Sequence, residues 1–423
     1  MLGRFFRKAT RSDQRTAIEE RLRAPLRELK ERLSSNYDAG EEGGLKDHMI
    51  KELQIRNYKS VKAADLSCKR VNVFIGPPYT GKSNILQAIA LLNIFGDRNE
   101  IYDDEELFRM LEVSCWADIF WRSPDEDPWK PHPKPKYPVV IRAVQMGGEV
   151  VTVKVDNEME VRPGIEEGVE EDEFHPVECS DSRVAYAVHL SLAYEPVSST
   201  DLTRFVFYRF HPRHRDDRPF FPEKDFLVPP FGYNLEFLLN RDRELKRLIE
   251  VYGEDVYNGL EVKQSLRGYL YENRAASFKS GAIKEITFRS LSESLQRFIF
   301  YLTAVHHNRW MVVAIDDLDP IYPSFSQCIA DAIATKRSNQ YFISTHDPFF
   351  LICLLTEVPT KELNVFWTEL DGGETKVCVL TEELEEEILV KDWYAFFKLA
   401  RHLERAPHEL SNRHRFTRPT VNP

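Results

Sequence analysis

The stretch FIGPPYTGKSNIL, residues 74–86, interrupts one apolar run and begins another almost at once. Residues 71–75, VNVFI, predict a buried strand, and SNILQAIALLN from Ser83 predicts a helix with Ile85, Leu86, Ile89 and Leu92 on one face. The connection, Gly76, Pro77, Pro78, Tyr79, Thr80, Gly81, Lys82 and Ser83, has the spacing G-x-x-x-x-G-K-S. Glycines at its two ends permit backbone angles that let successive N–H groups turn inward around a phosphate at a helix N-terminus. Lys82 then reaches the β and γ phosphates, and the Ser83 hydroxyl becomes a ligand for Mg²⁺. A bland glycine-rich turn is the competing reading, and a strand before with a helix after weighs against it. The expectation is a P-loop that binds ATP with Mg²⁺.

A P-loop needs a carboxylate at the end of another buried strand. RWMVVAIDDLDP supplies one, since the apolar run to Ile315 ends in Asp316-Asp317. Asp316 is placed to hold the Mg²⁺ shell, and Asp317 to orient or deprotonate a water for in-line attack on the γ-phosphate. A further apolar run, QYFIS, ends in THDP, which puts His346 where it can sense that phosphate. The helical spacing of FSQCIADAIATKRSN between the two runs makes the segment a βαβ unit of a parallel sheet. Taken singly, a histidine or an Asp-Asp pair is more often structural; their joint position at strand ends is what marks a site.

At this point the chain resembles the ABC-type P-loop ATPases of the RecF, SMC and OLD-like group. IKELQIRNYKSVKAADLSCKRVNVFIGPPYTGKSNILQAI (50–89) is similar to their opening, an amphipathic strand pair leading into a P-loop followed by Asn, here Asn84. SLSESLQRFIFYLTAV (290–305) stands at their signature motif, VVAIDDLD at Walker B and ISTHDP at the switch histidine. The resemblance implies a mixed sheet flanked by helices, with two heads sandwiching two nucleotides. Ser292, with Glu293 and Ser294, would then contact the γ-phosphate bound by the opposite protomer. Ser292 as an ordinary helix cap is the alternative. Two departures stand out: Ser294 replaces the usual signature glycine, and Asp317 replaces the usual glutamate. A carboxylate shorter by one methylene is drawn back by about 1.5 Å, and misplacement on that scale costs on the order of 100-fold in rate. Slow hydrolysis is expected, with ATP acting largely as a clamp.

The resemblance divides the chain into an N-terminal helical arm and linker (1–48), the first half of the head (49–96), a large α+β insertion (97–280), the second half of the head (281–358) and a C-terminal hairpin with helices (359–423). The insertion alternates as strands in VVIRAVQMGGEVVTVKV and reads as two helices over 234–275. Six scattered cysteines without a CxxC pair fit reduced thiols rather than a disulfide frame or a zinc site. No apolar run reaches membrane-spanning length and the N-terminus lacks a signal-peptide pattern, so a cytoplasmic protein is expected. A net charge of −11 opposes general contact with nucleic acid. The local exception is residues 204–218, where Arg204, Arg209, Arg213, Arg215 and Arg218 interleave with aromatics. The tail shows no cluster of carboxylates fit for a fused nuclease. The family then implies a homo-oligomeric ATPase acting on a separately encoded effector, plausible in defence against phage; the alternatives are a RecF-like repair ATPase and a switch with negligible turnover.

Overall fold

The computed structural model describes residues 48–92, 104–114, 116–122, 137–156, 189–195, 205–211, 224–257, 288, 291–319 and 322–380, with strand pieces at 176–177, 186–187, 260–261, 276–278, 285–286 and 416–417. The expected N-terminal arm and most of the tail lie outside these residues.

Two sheets organise the described chain. The first is antiparallel and five-stranded, in the order β2 (Val61–Ser67), β1 (Ile50–Tyr58), β4 (Val139–Gln145), β5 (Val150–Asp156), β6 (His189–Glu195). The alternating text on either side of Gly147-Gly148 does form an antiparallel pair, Val139 opposite Val155 and Val144 opposite Val150. The second sheet is mixed, in the order β12 (Phe416–Thr417), β11 (Glu374–Leu380), β10 (Leu363–Asp371), β3 (Val71–Ile75), β9 (Gln340–Ser344), β8 (Val312–Asp316), β7 (Phe205–Arg209). From β10 to β7 its neighbours run parallel.

Strands β3, β8 and β9 are buried at every position, as parallel strands covered on both faces must be. Successive side chains enter opposite cores. Val71, Val73 and Ile75 join Val313, Ile315 and Ile343 under helices α5 (Glu293–His307), α6 (Pro323–Thr335) and α7 (Pro348–Glu357). Phe74, Ala314 and Phe342 join Ile85, Leu86 and Ile89 of α1 (Lys82–Leu91) and the inner face of the five-stranded sheet, Leu53 and Ile141 among them. The layers are therefore helices, mixed sheet, α1, antiparallel sheet. Phe74 stacks on Phe366 of β10 with ring centroids 5.0 Å apart. The Gln340 amide locks the two sheets together, accepting from the Ile50 N–H and donating to its carbonyl, both at 2.7 Å.

The helical text of the insertion becomes α2 (Asp104–Leu111), α3 (Leu235–Arg241) and α4 (Arg243–Tyr257). The two-helix reading of 234–275 holds to residue 257, whereas Leu260–Glu261 is a strand piece. Among the described residues no helix is long and apolar enough to cross a membrane. Cys68, Cys328, Cys353 and Cys378 carry free thiols.

Candidate functional site

The P-loop turn follows from its glycines. Gly76 has φ 149° and Gly81 has φ 89°, and a Cβ at either would collide, at 2.3 Å with the Thr368 carbonyl oxygen and at 2.0 Å with Thr375 Oγ1. Tyr79 also takes positive φ, 63°, and its ring is 95% exposed. Within the loop Thr80 Oγ1 donates to the Pro77 carbonyl at 2.9 Å, and β10 braces it through Thr368 Oγ1, which lies 2.7 Å from Thr80 Oγ1 and 3.1 Å from the Ile75 carbonyl. Asn84, on the first turn of α1, donates to Ser60 Oγ at 2.7 Å. Gly81 caps α1 without any side chain, and no acidic residue occupies the first turn. The open N–H groups at that end suit an anion.

Lys82 is 5% exposed and folds back, its ammonium donating to the Gly76 and Pro77 carbonyls at 2.8 and 2.7 Å. Burial brings its pKa down to about 8, against the pull of Asp319, Asp316 and Asp317. Asp316, fully buried at the end of β8, accepts from Ser344 Oγ at 2.5 Å through Oδ1. Its Oδ2 has no hydrogen-bond partner among the described residues and lies 3.7 Å from Arg209 Nη1. Burial raises the Asp316 pKa, opposed by Arg209, Ser344 and the Ser83 hydroxyl. An orphaned carboxylate oxygen beside a serine hydroxyl fits the donor set of a hard divalent cation, so Ser83 and Asp316 would hold Mg²⁺. Bound there, the ion would supply neutralisation of phosphate charge.

Asp317 adopts left-handed backbone, φ 57°, with its N–H donating to Ser344 Oγ at 2.8 Å. Strain of this kind in a residue without glycine's freedom concentrates at functional sites. His346 donates its backbone N–H to Asp319 Oδ2 at 2.5 Å. Its ring pKa is lowered by burial and then by Lys82, and the Gly76 backbone is within its reach. Asp317, Asp319 and His346 bring one potential ligand atom each within 4.8 Å of one another. The structure therefore gathers Lys82, Ser83, Asp316, Asp317 and His346 around one end of α1.

The expected signature residues keep local company. Ser292 is the N-cap of α5, accepting from the Leu295 N–H at 3.4 Å, and it is exposed. Glu293 pairs with Arg297 at 2.9 Å, and Ser294 Oγ accepts from the Tyr322 N–H at 2.9 Å.

Searches against family models and curated proteins match nothing. Solved structures similar to the chain are SMC head domains and RecF. The SMC head domain from Thermotoga maritima matches at 14% identity and TM-score 0.40, over 78% of this chain and 99% of that one. An SMC head bound to the C-terminal domain of ScpA derived from Pyrococcus furiosus matches at 12% and 0.46, over 81% and 98%. The recombination mediator RecF with ATP matches at 11% and 0.37, over 78% and 99%.

Four side chains at the site escape a reading of the sequence. Arg209, placed above in a nucleic-acid surface, is instead carried by β7 alongside β8 into the site: it is paired in register with Asp316 and lies 2.6 Å from Glu112. Burial works against its charge, and Asp316 and Glu112 outweigh that effect and raise its pKa. Arg204, Arg213, Arg215 and Arg218 lie outside the described residues. Asp319, the third carboxylate of DDLD, accepts from Thr345 Oγ1 at 2.8 Å, and burial raises its pKa to about 6. Arg297 and Tyr301 of α5 donate to the Asp317 carbonyl at 3.2 and 3.1 Å, fastening α5 to the loop that carries the carboxylates. A carboxylate one residue past Asp317-Leu318 was the only sequence signal among them.

Proposed function

We propose that the chain is an ABC-type ATPase head that binds ATP with Mg²⁺ at Gly76–Asn84 and hydrolyses it slowly. The observation that carries this reading is the convergence, at the end of α1 that no side chain caps, of the buried Lys82 ammonium with Asp316, whose Oδ2 has no hydrogen-bond partner among the described residues. Lys82 leaves the Gly76 and Pro77 carbonyls for the β and γ phosphates, and the loop N–H groups hold the α and β oxygens. Asp317 orients and deprotonates the attacking water, and His346 contacts the γ-phosphate. Arg209 neutralises charge near Asp316 without occupying the phosphate seat.

Assembly through head contacts deepens the same reading. Three of the large apolar side chains exposed by a third or more flank the site: Tyr79 at the loop tip, Tyr322 beside Ser294 and Phe349 just after His346. Covering them with a second copy would bring the exposed Ser292 of one chain onto the nucleotide of the other. Control of a separately encoded effector, in defence against phage, extends the proposal on the strength of the motif resemblance.

Asp317→Ala should retain ATP and Mg²⁺ with near wild-type affinity while losing all turnover, measured by calorimetry and by phosphate release. Turnover equal to wild type would remove Asp317 from the reaction.

A further inference from the structure

A second constellation lies at the far end of α5, about 22 Å from Ser292 for a helix of 15 residues. Asp242 occupies the junction of α3 and α4. Its Oδ1 accepts from the N–H groups of Glu244 and Leu245, both at 2.9 Å, and so caps α4. Its Oδ2 faces Nε2 of His306 at 3.0 Å and Nε2 of His307 at 3.3 Å. The two imidazoles, adjacent in sequence, converge on that oxygen with their planes 73° apart.

The tautomer of His307 is set by its other nitrogen. Nδ1 lies 3.1 Å from the Asp225 carbonyl oxygen, and a carbonyl only accepts, so Nδ1 carries the proton. In the neutral ring Nε2 is then a lone pair. It is buried, has no hydrogen-bond partner among the described residues, and points at a carboxylate oxygen. Two acceptors held that close repel unless positive charge lies between them, which means either a second proton on the ring or a metal ion.

The distances fit an ion. Ligands about 2.0–2.1 Å from tetrahedral Zn²⁺ stand about 3.3 Å from one another, close to both separations seen here. The surroundings fit as well, because metal-bound histidines commonly donate their remaining N–H to a backbone carbonyl, and ligating carboxylates are themselves hydrogen-bonded. Asp225 and the first turn of α4 serve those roles. Two nitrogens and one carboxylate oxygen suit Zn²⁺ better than Mg²⁺ or Ca²⁺.

We propose that Asp242, His306 and His307 form a Zn²⁺ site, completed by water, that ties the C-terminal end of α5 to the α3–α4 pair. Ligation uses the Nε2 lone pair of His306, whose proton moves to Nδ1 or is released. Burial lowers the pKa of His306 and so favours the neutral ligand form. Lys336, which donates to the His306 carbonyl, is an opposing cation; burial drives its pKa well down and weakens the opposition.

The test strips the full-length protein with a chelator and titrates Zn²⁺ in competition with a chromophoric chelator, without nucleotide. One Zn²⁺ per chain is expected, with affinity at least about tenfold weaker in Asp242→Asn and in His307→Gln. Asparagine preserves the cap on α4, and His307→Gln carries the test if that variant fails to fold. His346→Ala should bind as wild type does. Absence of bound Zn²⁺, undiminished affinity in the variants, or loss of the ion in His346→Ala would overturn the proposal. The first of these leaves His307 and Asp242 as a contact without an ion, and the last places the ion beside Asp317 and Asp319.

Discussion

Lys82 carries the largest electrostatic consequence of the P-loop. Its pKa in the folded chain is about 8 against an ordinary 10.5, so between those values the folded protein holds fewer protons than the unfolded one. Stability from this group is complete above pH about 10.5 and is lost as pH falls toward 8. Bound phosphate reverses the preference, and above pH 8 binding must take up a proton. ATP affinity should be level below pH 8 and then fall by up to about tenfold per unit; calorimetry that shows level affinity to pH 10 contradicts this protonation scheme. Asp319 has the opposite sign, since a carboxyl raised from 3.8 to about 6 gives stability that is present below pH 3.8 and lost as pH rises through 6. Asp319→Asn should flatten the decline of Tm between pH 4 and 6. The motif residues were legible because Gly76, Gly81, Lys82 and Ser83 act through local backbone geometry. Arg209 and Asp319 were not, because their roles depend on which strand lies next to β8.

Elements transmit these residue effects to the fold. Gly81 is pressed against β11, and Gly81→Ala would combine a left-handed backbone with a Cβ 2.0 Å from Thr375 Oγ1. A loss of about 1–3 kcal/mol is expected in chemical denaturation. Adding Thr375→Ala should restore only part of it, since the backbone strain remains. Helix α5 is tied to the carboxylate loop by Tyr301, whose hydroxyl reaches the carbonyls of Asp316 and Asp317 at 3.0 and 3.1 Å. Tyr301→Phe should cost about 1–2 kcal/mol and slow turnover while ATP affinity changes little; an unchanged rate would separate α5 from the chemistry. Strands β3, β8 and β9 were readable as short apolar runs ending in polar residues. The place of β7 was not, since FVFYR is as apolar as a buried strand anywhere and nothing local names its neighbour. Pairing of β4 with β1 across a long stretch of chain was hidden for the same reason: register between distant strands is decided by shared burial.

At the scale of the molecule, the mixed sheet lies between two cores. Helix α1 and both sheets contribute to the core around Phe74, whereas α5 belongs to the opposite core together with α6 and α7. A nucleotide seated on α1 and touched by Ser292 of a second copy would couple these layers across two chains. The most direct measurement mixes two inactive variants, Lys82→Ala and Ser292→Arg, and follows phosphate release. Each alone should be silent, and the mixture should recover up to about a quarter of wild-type activity through composite sites that pair an intact Lys82 with an intact Ser292. Full activity of Ser292→Arg alone, in a protein that sediments as a monomer with ATP bound, would contradict the shared site and leave Ser292 as the cap of its own helix.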